Sequence, residues 1–130
     1  MRIEEKLFAK RIIVEVQDPF RAAHETLKLL EQYGTVEEKI NKTMSDGPRQ
    51  RLHLEYLITK RVDEFSQTFI NFIAIAEAGT TRFVEANVSA RLTVEIDDTG
   101  LFSSAFKDFY LRDVFPTIRK REEKICKHLL

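Results

Sequence analysis

The residues whose chemistry could carry a reaction are few and scattered. The three histidines are His24, His53 and His128, far apart in sequence and on different elements, with none of the short spacings that gather metal ligands. No metal site is expected from them. His53 alternates with Leu52 and Leu54 and so faces outward, whereas His24 lies beside the apolar stripe of its helix and is expected at the border of the core. Cys126, the only cysteine, has Lys124 and Lys127 nearby. A reactive thiol needs both a depressed pKa and access, and a cysteine next to Ile125 on an apolar helix side reads instead as a small buried hydrophobe. The acid pairs Glu37-Glu38 and Asp97-Asp98 fall at strand ends, where solvated turn residues belong. Adjacent residues on a strand point to opposite faces, so neither pair makes a shared acid–base site. Gln67, Asn71, Asn87, Arg91 and Glu95 are polar positions on strand faces, and Arg91 with Glu95 reads as a surface pair. There is no phosphate loop, Gly-x-Gly-x-x-Gly, His-Glu-x-x-His or cysteine pair. No catalytic residue and no cofactor is assigned.

Composition narrows the class further. At 130 residues the chain reads as a single domain, residues 1–130, able to bury a core. Its 21 Lys and Arg balance 21 Asp and Glu, so the global basic footprint of a nucleic-acid binder is missing. From Arg119 onward Arg119, Lys120, Arg121, Lys124 and Lys127 outnumber Glu122 and Glu123, an excess that a helix C-terminal dipole accounts for without a partner. One cysteine forms no internal disulfide and fits a reducing, cytoplasmic compartment. Acids at Glu4 and Glu5 interrupt any leader-like stretch. The most apolar run, Phe65 to Ala76, is interrupted by Gln67 and Asn71 and is too short to span a bilayer. The two Asn-x-Ser/Thr matches, at Asn41 and Asn87, are therefore discounted as glycosylation sites.

Four glycines, at 34, 47, 79 and 100, separate the patterned segments that must position these groups. Phe8 to Val16 alternates and carries the β-branched Ile12-Ile13-Val14, which suits a strand. Asp18-Pro19 is a helix start, with an N-cap acid and a proline at the first helical position. Phe20, Ala23, Leu27 and Leu30 then line one face of a helix over Pro19 to Tyr33, with Gly34 expected as a left-handed C-cap. Thr35 to Ser45 alternates weakly, with Val36, Ile40 and Met44 on one side, and Asp46-Gly47-Pro48 turns the chain. Leu52, Leu54, Tyr56 and Ile58 mark the next strand, and Lys60 to Glu64 reverses it without glycine. Phe65 to Ala78 is apolar on both faces. Arg82 to Ile96 alternates most clearly, and its length predicts a bend or a bulge. Phe102, Ala105, Phe106 and Phe109, then Leu111, Phe115, Ile118, Ile125 and Leu129, mark a long C-terminal helix that Pro116 kinks or divides. The fold class is α+β: β-α-β-β-β-β-α, a curved antiparallel meander sheet packed on a short helix and a long C-terminal helix.

That order, closed by the long helix, resembles the helix-grip fold of the Bet v1, START and polyketide-cyclase-like proteins, and equally the half-repeat of TATA-box-binding protein. The helix-grip resemblance implies an apolar small molecule held between sheet and last helix. Ala74, Ala76, Ala78, Ala86 and Ala90 would leave room for it, with Tyr56, Phe102, Phe106, Phe109 and Tyr110 lining the same space. The competing reading is that these alanines accept helix aromatics in a filled core. Phe69, Ile73 and Ile75, with Phe83 beside them, fall on the other sheet face, where they would make a homodimer surface. Three functions stay open: a non-enzymatic binder of an apolar ligand, a dimerising structural or regulatory module with a filled core, and a small cyclase-like enzyme.

Overall fold

The computed structural model describes residues 2–96 and 110–128, with side chains in the last segment described for 111–125. Five antiparallel strands run β1 (Arg2–Glu15), β2 (Thr35–Asp46), β3 (Arg49–Arg61), β4 (Ser66–Ala78) and β5 (Arg82–Glu95). They lie in the order β1-β5-β4-β3-β2, so β1 and β2 form the edges and β4 the centre. Helix α1 (Pro19–Glu31) connects the edges. Thirteen residues at 1.5 Å each make a helix about 20 Å long. Four spacings of about 4.8 Å make the sheet about 19 Å across. The helix is therefore long enough to carry the chain from one edge strand to the other. Its N-terminus is built as the sequence indicates: the Asp18 side chain accepts from the Arg21 N–H, and Pro19 opens the first turn.

Strict alternation fixes which face α1 covers. Ala23, Leu27 and Leu30 pack with Leu52, Leu54, Ile58, Ile70, Phe72, Ala74, Ala76, Val88, Ala90, Leu92 and Val94 in one core, which Ile118 of the last helix joins. Each large side chain so removed from water contributes about 1.5–3 kcal/mol. His24 points away from this core and is exposed, because the apolar stripe on α1 is narrower than its border position suggested.

Several local expectations are corrected. β5 pairs with β4 without interruption, and the bulge lies instead on its other neighbour, where Leu7 is the extra residue between Lys6 and Phe8 of β1. The bulge turns Leu7 into the core. A second bulge at Lys39 breaks the alternation of β2. Val36, opposite Ile58, stays on the helix-bearing face, while Ile40 and Met44, opposite Glu55 and Arg51, move to the other. α1 ends at Glu31, and Gly34 does not adopt the left-handed conformation; Gly47, at φ 60°, does, in the β2–β3 turn. Gly34 is required for a different reason. A Cβ there would stand 2.3 Å from the Thr59 carbonyl oxygen, so the chain leaves α1 in contact with the β3 backbone. The glycine-free reversal after β3 is made by Asp63, whose Oδ1 accepts from the Phe65 and Ser66 N–H groups and from the Ser66 hydroxyl. Pro116 divides the last segment: a π-helical turn (Tyr110–Val114) precedes α2 (Phe115–His128). Phe102, Phe106, Phe109 and Gly100 lie outside the described residues.

Gly34→Ala is expected to lower the unfolding free energy by about 3 kcal/mol, the upper end of overpacking costs, because backbone cannot yield to the added methyl. Gly47→Ala, which meets only a left-handed backbone with open space around it, should cost about 1 kcal/mol. Urea denaturation of the two variants beside the wild type measures both.

Candidate interaction surface

The polar groups gather in three places, and their geometry separates anchors from surface. The first is the junction of α1, β3, β4 and α2. Glu122 of α2 is 0% exposed. Its Oε2 accepts from the Tyr33 hydroxyl at 2.5 Å and from Thr68 Oγ1 at 3.3 Å, and Lys60 Nζ lies 3.3 Å from Oε1. The same ammonium sits 4.9 Å above the Tyr33 ring. A buried carboxylate is stable only when paired and hydrogen-bonded, and here both oxygens are engaged and closed to solvent. The arrangement ties α2 to α1 and to the sheet. Arg119 adds a 2.6 Å contact to Glu5 of β1, half-exposed on both sides and so worth less than about 1 kcal/mol. Sequence reading missed this cluster by counting Glu122 only in the charge balance of the helix C-terminus. The signal was its place on the helix, four residues after Ile118 and three before Ile125, on the apolar stripe.

The second place is the β2–β3 pair, where Tyr56 and Glu38 are direct cross-strand partners. The Tyr56 hydroxyl donates to Glu38 Oε1 at 2.7 Å. That bond, assisted by the Asn41 side chain, holds the Glu38 carboxyl below its ordinary value. Burial pushes the Tyr56 phenol up to about 12, and the hydrogen bond to Glu38 adds to this. Tyr56 is therefore engaged at its polar end and buried at its ring.

Of the other residues named as a ligand lining, Ala74 and Ala90 are buried in the core, and Ala86 is half-buried opposite Ile12 of β1. Tyr110 opens the π-helical turn, and its side chain is not among those described. His53 stands on the helix-free face with Nε2 3.3 Å from Glu55 Oε1. Among the described residues, no three His, Cys, Asp or Glu side chains converge as metal ligands, and no helix is long and apolar enough to cross a membrane. The side chains of Cys126 and His128 lie outside the described set.

The third place is the helix-free face itself. Leu57 of β3, Phe69, Asn71, Ile73 and Ile75 of β4, and Phe83, Asn87, Ser89 and Arg91 of β5 share it, all half-buried. Arg91 does not pair with Glu95 as the sequence suggested. Its guanidinium stacks 4.8 Å from the Phe69 ring, and Glu95 instead meets Arg2 at 3.7 Å. Around them Arg11 pairs with Glu85 at 2.5 Å and Arg49 with Glu77, and His53 lies beside Glu55, whereas Arg51, whose Nε is buried without a hydrogen-bond partner, and Arg91 and Lys6 have no carboxylate partner among the described residues. Apart from Arg91, the middle of the face is uncharged. Two shallow grooves of about 400 and 360 Å³ cross it and meet at Asn71 and Ser89, one bordered by Glu4, Glu5, Lys6 and Arg91, the other by Lys10, Arg11, Ile73 and Asn87.

The Tyr56–Glu38 bond sets an expected pH signature. Glu38 titrates lower in the folded chain than in the unfolded one, so its stabilisation is complete above the ordinary carboxylate range and is lost as pH falls through the folded value. Tyr56 titrates higher when folded, so its stabilisation is complete below pH 10 and is lost as pH rises toward about 12. Tyr56→Phe should flatten both limbs relative to wild type when urea unfolding is measured across pH; identical limbs in the two proteins would refute the assignment.

No family model matches the chain, and no curated protein matches it. Among solved structures, an uncharacterised protein from Rhizobium leguminosarum is 7% identical, over 82% of this chain and 89% of that one, with a TM-score of 0.25. A likeness at that level carries no argument about function.

Proposed function

We propose that this chain is a non-catalytic interaction module that pairs with a second copy of itself through the helix-free face of its sheet. The observation that carries this reading is the run of uncharged, half-buried side chains on that face, Leu57, Phe69, Asn71, Ile73, Ile75, Asn87 and Ser89. The extent of the face favours a second copy as occupant. Five strands of about thirteen residues present roughly 19 by 43 Å, about 800 Å², which is about what a stable interface needs from each partner. Sheet-on-sheet packing is also a standard way of closing such a face.

Analytical ultracentrifugation should give twice the single-chain mass of 15.2 kDa at high micromolar concentration. Ile73→Lys should shift the protein to monomer with dissociation at least tenfold easier, since it places a charge in the interface centre. The lysine would lie opposite Glu55 in the sheet, so the variant keeps a partner within its own fold. A wild type that stays monomeric throughout would overturn the reading.

A second reading, binding of an apolar small molecule in the helix-grip manner, is favoured by one observation. Ala86 and Ile12 face each other half-buried on the helix-bearing side, while Ala74, Ala76 and Ala90 beside them are fully covered. Native mass spectrometry of the purified protein tests it. A bound mass that disappears in Ala86→Leu would support ligand binding, and a ligand-free spectrum would leave the self-association reading alone.

A further inference from the structure

The helix-free face has a definable centre. β4 is the middle strand, and Asn71 lies one residue from the midpoint of Ser66–Ala78, between Phe69 and Ile73 on the same face. Both grooves meet there. Its cross-strand neighbours are Leu57 and Ser89, neither charged. The Asn71 amide forms no hydrogen bond with another described side chain, in a face where Arg11, Arg91, His53 and Glu85 each have a partner.

A closed dimer of identical chains uses one patch twice, related by a two-fold axis, and the residue on that axis meets its own copy. Such a residue must be self-complementary. An amide is, because it carries both a donor and an acceptor; a lysine or a glutamate is not. Stacked sheets lie about 10 Å apart. Two extended asparagine side chains joined by hydrogen bonds of about 2.9 Å span that gap. An amide on the axis also favours one register, because an arrangement slipped along β4 sets it against Phe69 or Ile73 and leaves it unpaired.

We propose that the two-fold axis of the dimer passes at Asn71, and that reciprocal Asn71 hydrogen bonds fix the register of the two sheets. This inference rests on reading the helix-free face as a self-association surface and adds where its axis lies. Each Asn71 amide N–H donates to the partner chain's Asn71 carbonyl oxygen.

Charge substitution at this position tests the axis directly. Asn71→Asp alone and Asn71→Lys alone each place like charges against themselves, so each should dissociate about a hundredfold more easily than wild type. An equimolar mixture should recover a heterodimer of one Asp and one Lys chain, seen as a dimer mass by ultracentrifugation and as a mixed species by native mass spectrometry. Circular dichroism of each variant confirms that it is folded, and recovery on mixing is a second control for folding. Dimeric wild type with either variant dimerising normally, or with no recovery on mixing, would overturn the axis while leaving the surface intact. Monomeric wild type would overturn both.

Discussion

The structure depends on a constraint of connection. β1 and β2 are the two edges of one sheet, and the segment between them must cross the whole of it. α1 does so, covering strands β3, β4 and β5 on one face, and α2 packs on the same side through Ile118 and Glu122. Both helices fall on one side, and the alternation of β3, β4 and β5 follows. Leu52, Leu54, Ile58, Ile70, Phe72, Val88 and Leu92 turn toward the helices, and the intervening residues turn away. Those intervening residues are the ones whose character remains to be explained. On β4 they include Phe69, Ile73 and Ile75, with Asn71 among them and Gln67 and Glu77 at the ends, a more apolar set than a solvated face carries.

Holding α2 in place falls to unusual chemistry for a core. The helix is predominantly charged, and among its described residues Ile118 and Glu122 are the ones that reach the interior. A carboxylate so buried would be costly by itself. Tyr33, Lys60 and Thr68, each from a different element, make the site tolerable and at the same time specify how α1, β3, β4 and α2 meet. The close approach of Gly34 to Thr59 belongs to the same junction, since Tyr33 and Lys60 are the neighbours of those two residues in sequence. Removal of either contact would loosen the meeting point of helix and sheet without touching the helix-free face.

The sequence was most legible where one rule acted alone. Asp18-Pro19 made a helix start, Asp46-Gly47-Pro48 made a turn, and the alternation of β3 to β5 gave the meander and its buried face. It was least legible where a single residue changed the period. The bulges at Leu7 and Lys39 each shift a strand by one residue, which exchanges its two faces, and neither residue carries a local signature of a bulge. Asp63 and Gly34 act through backbone contacts set by chain path. For the candidate surface, the apolar residues of β4 were readable directly. The stacking of Arg91 on Phe69 in place of a pair with Glu95 was not, because both are reachable from one position and only register decides between them.

The central claim, that the helix-free face is where copies of this chain meet, is tested most directly by covalent footprinting across a dilution series. Carbene labelling of Phe69, Ile73 and Ile75 should rise as dilution separates the copies, while labelling of Leu29, exposed on the outer side of α1, should stay constant. Labelling of the three β4 residues that does not change with concentration, or a change at Leu29 instead, would contradict it.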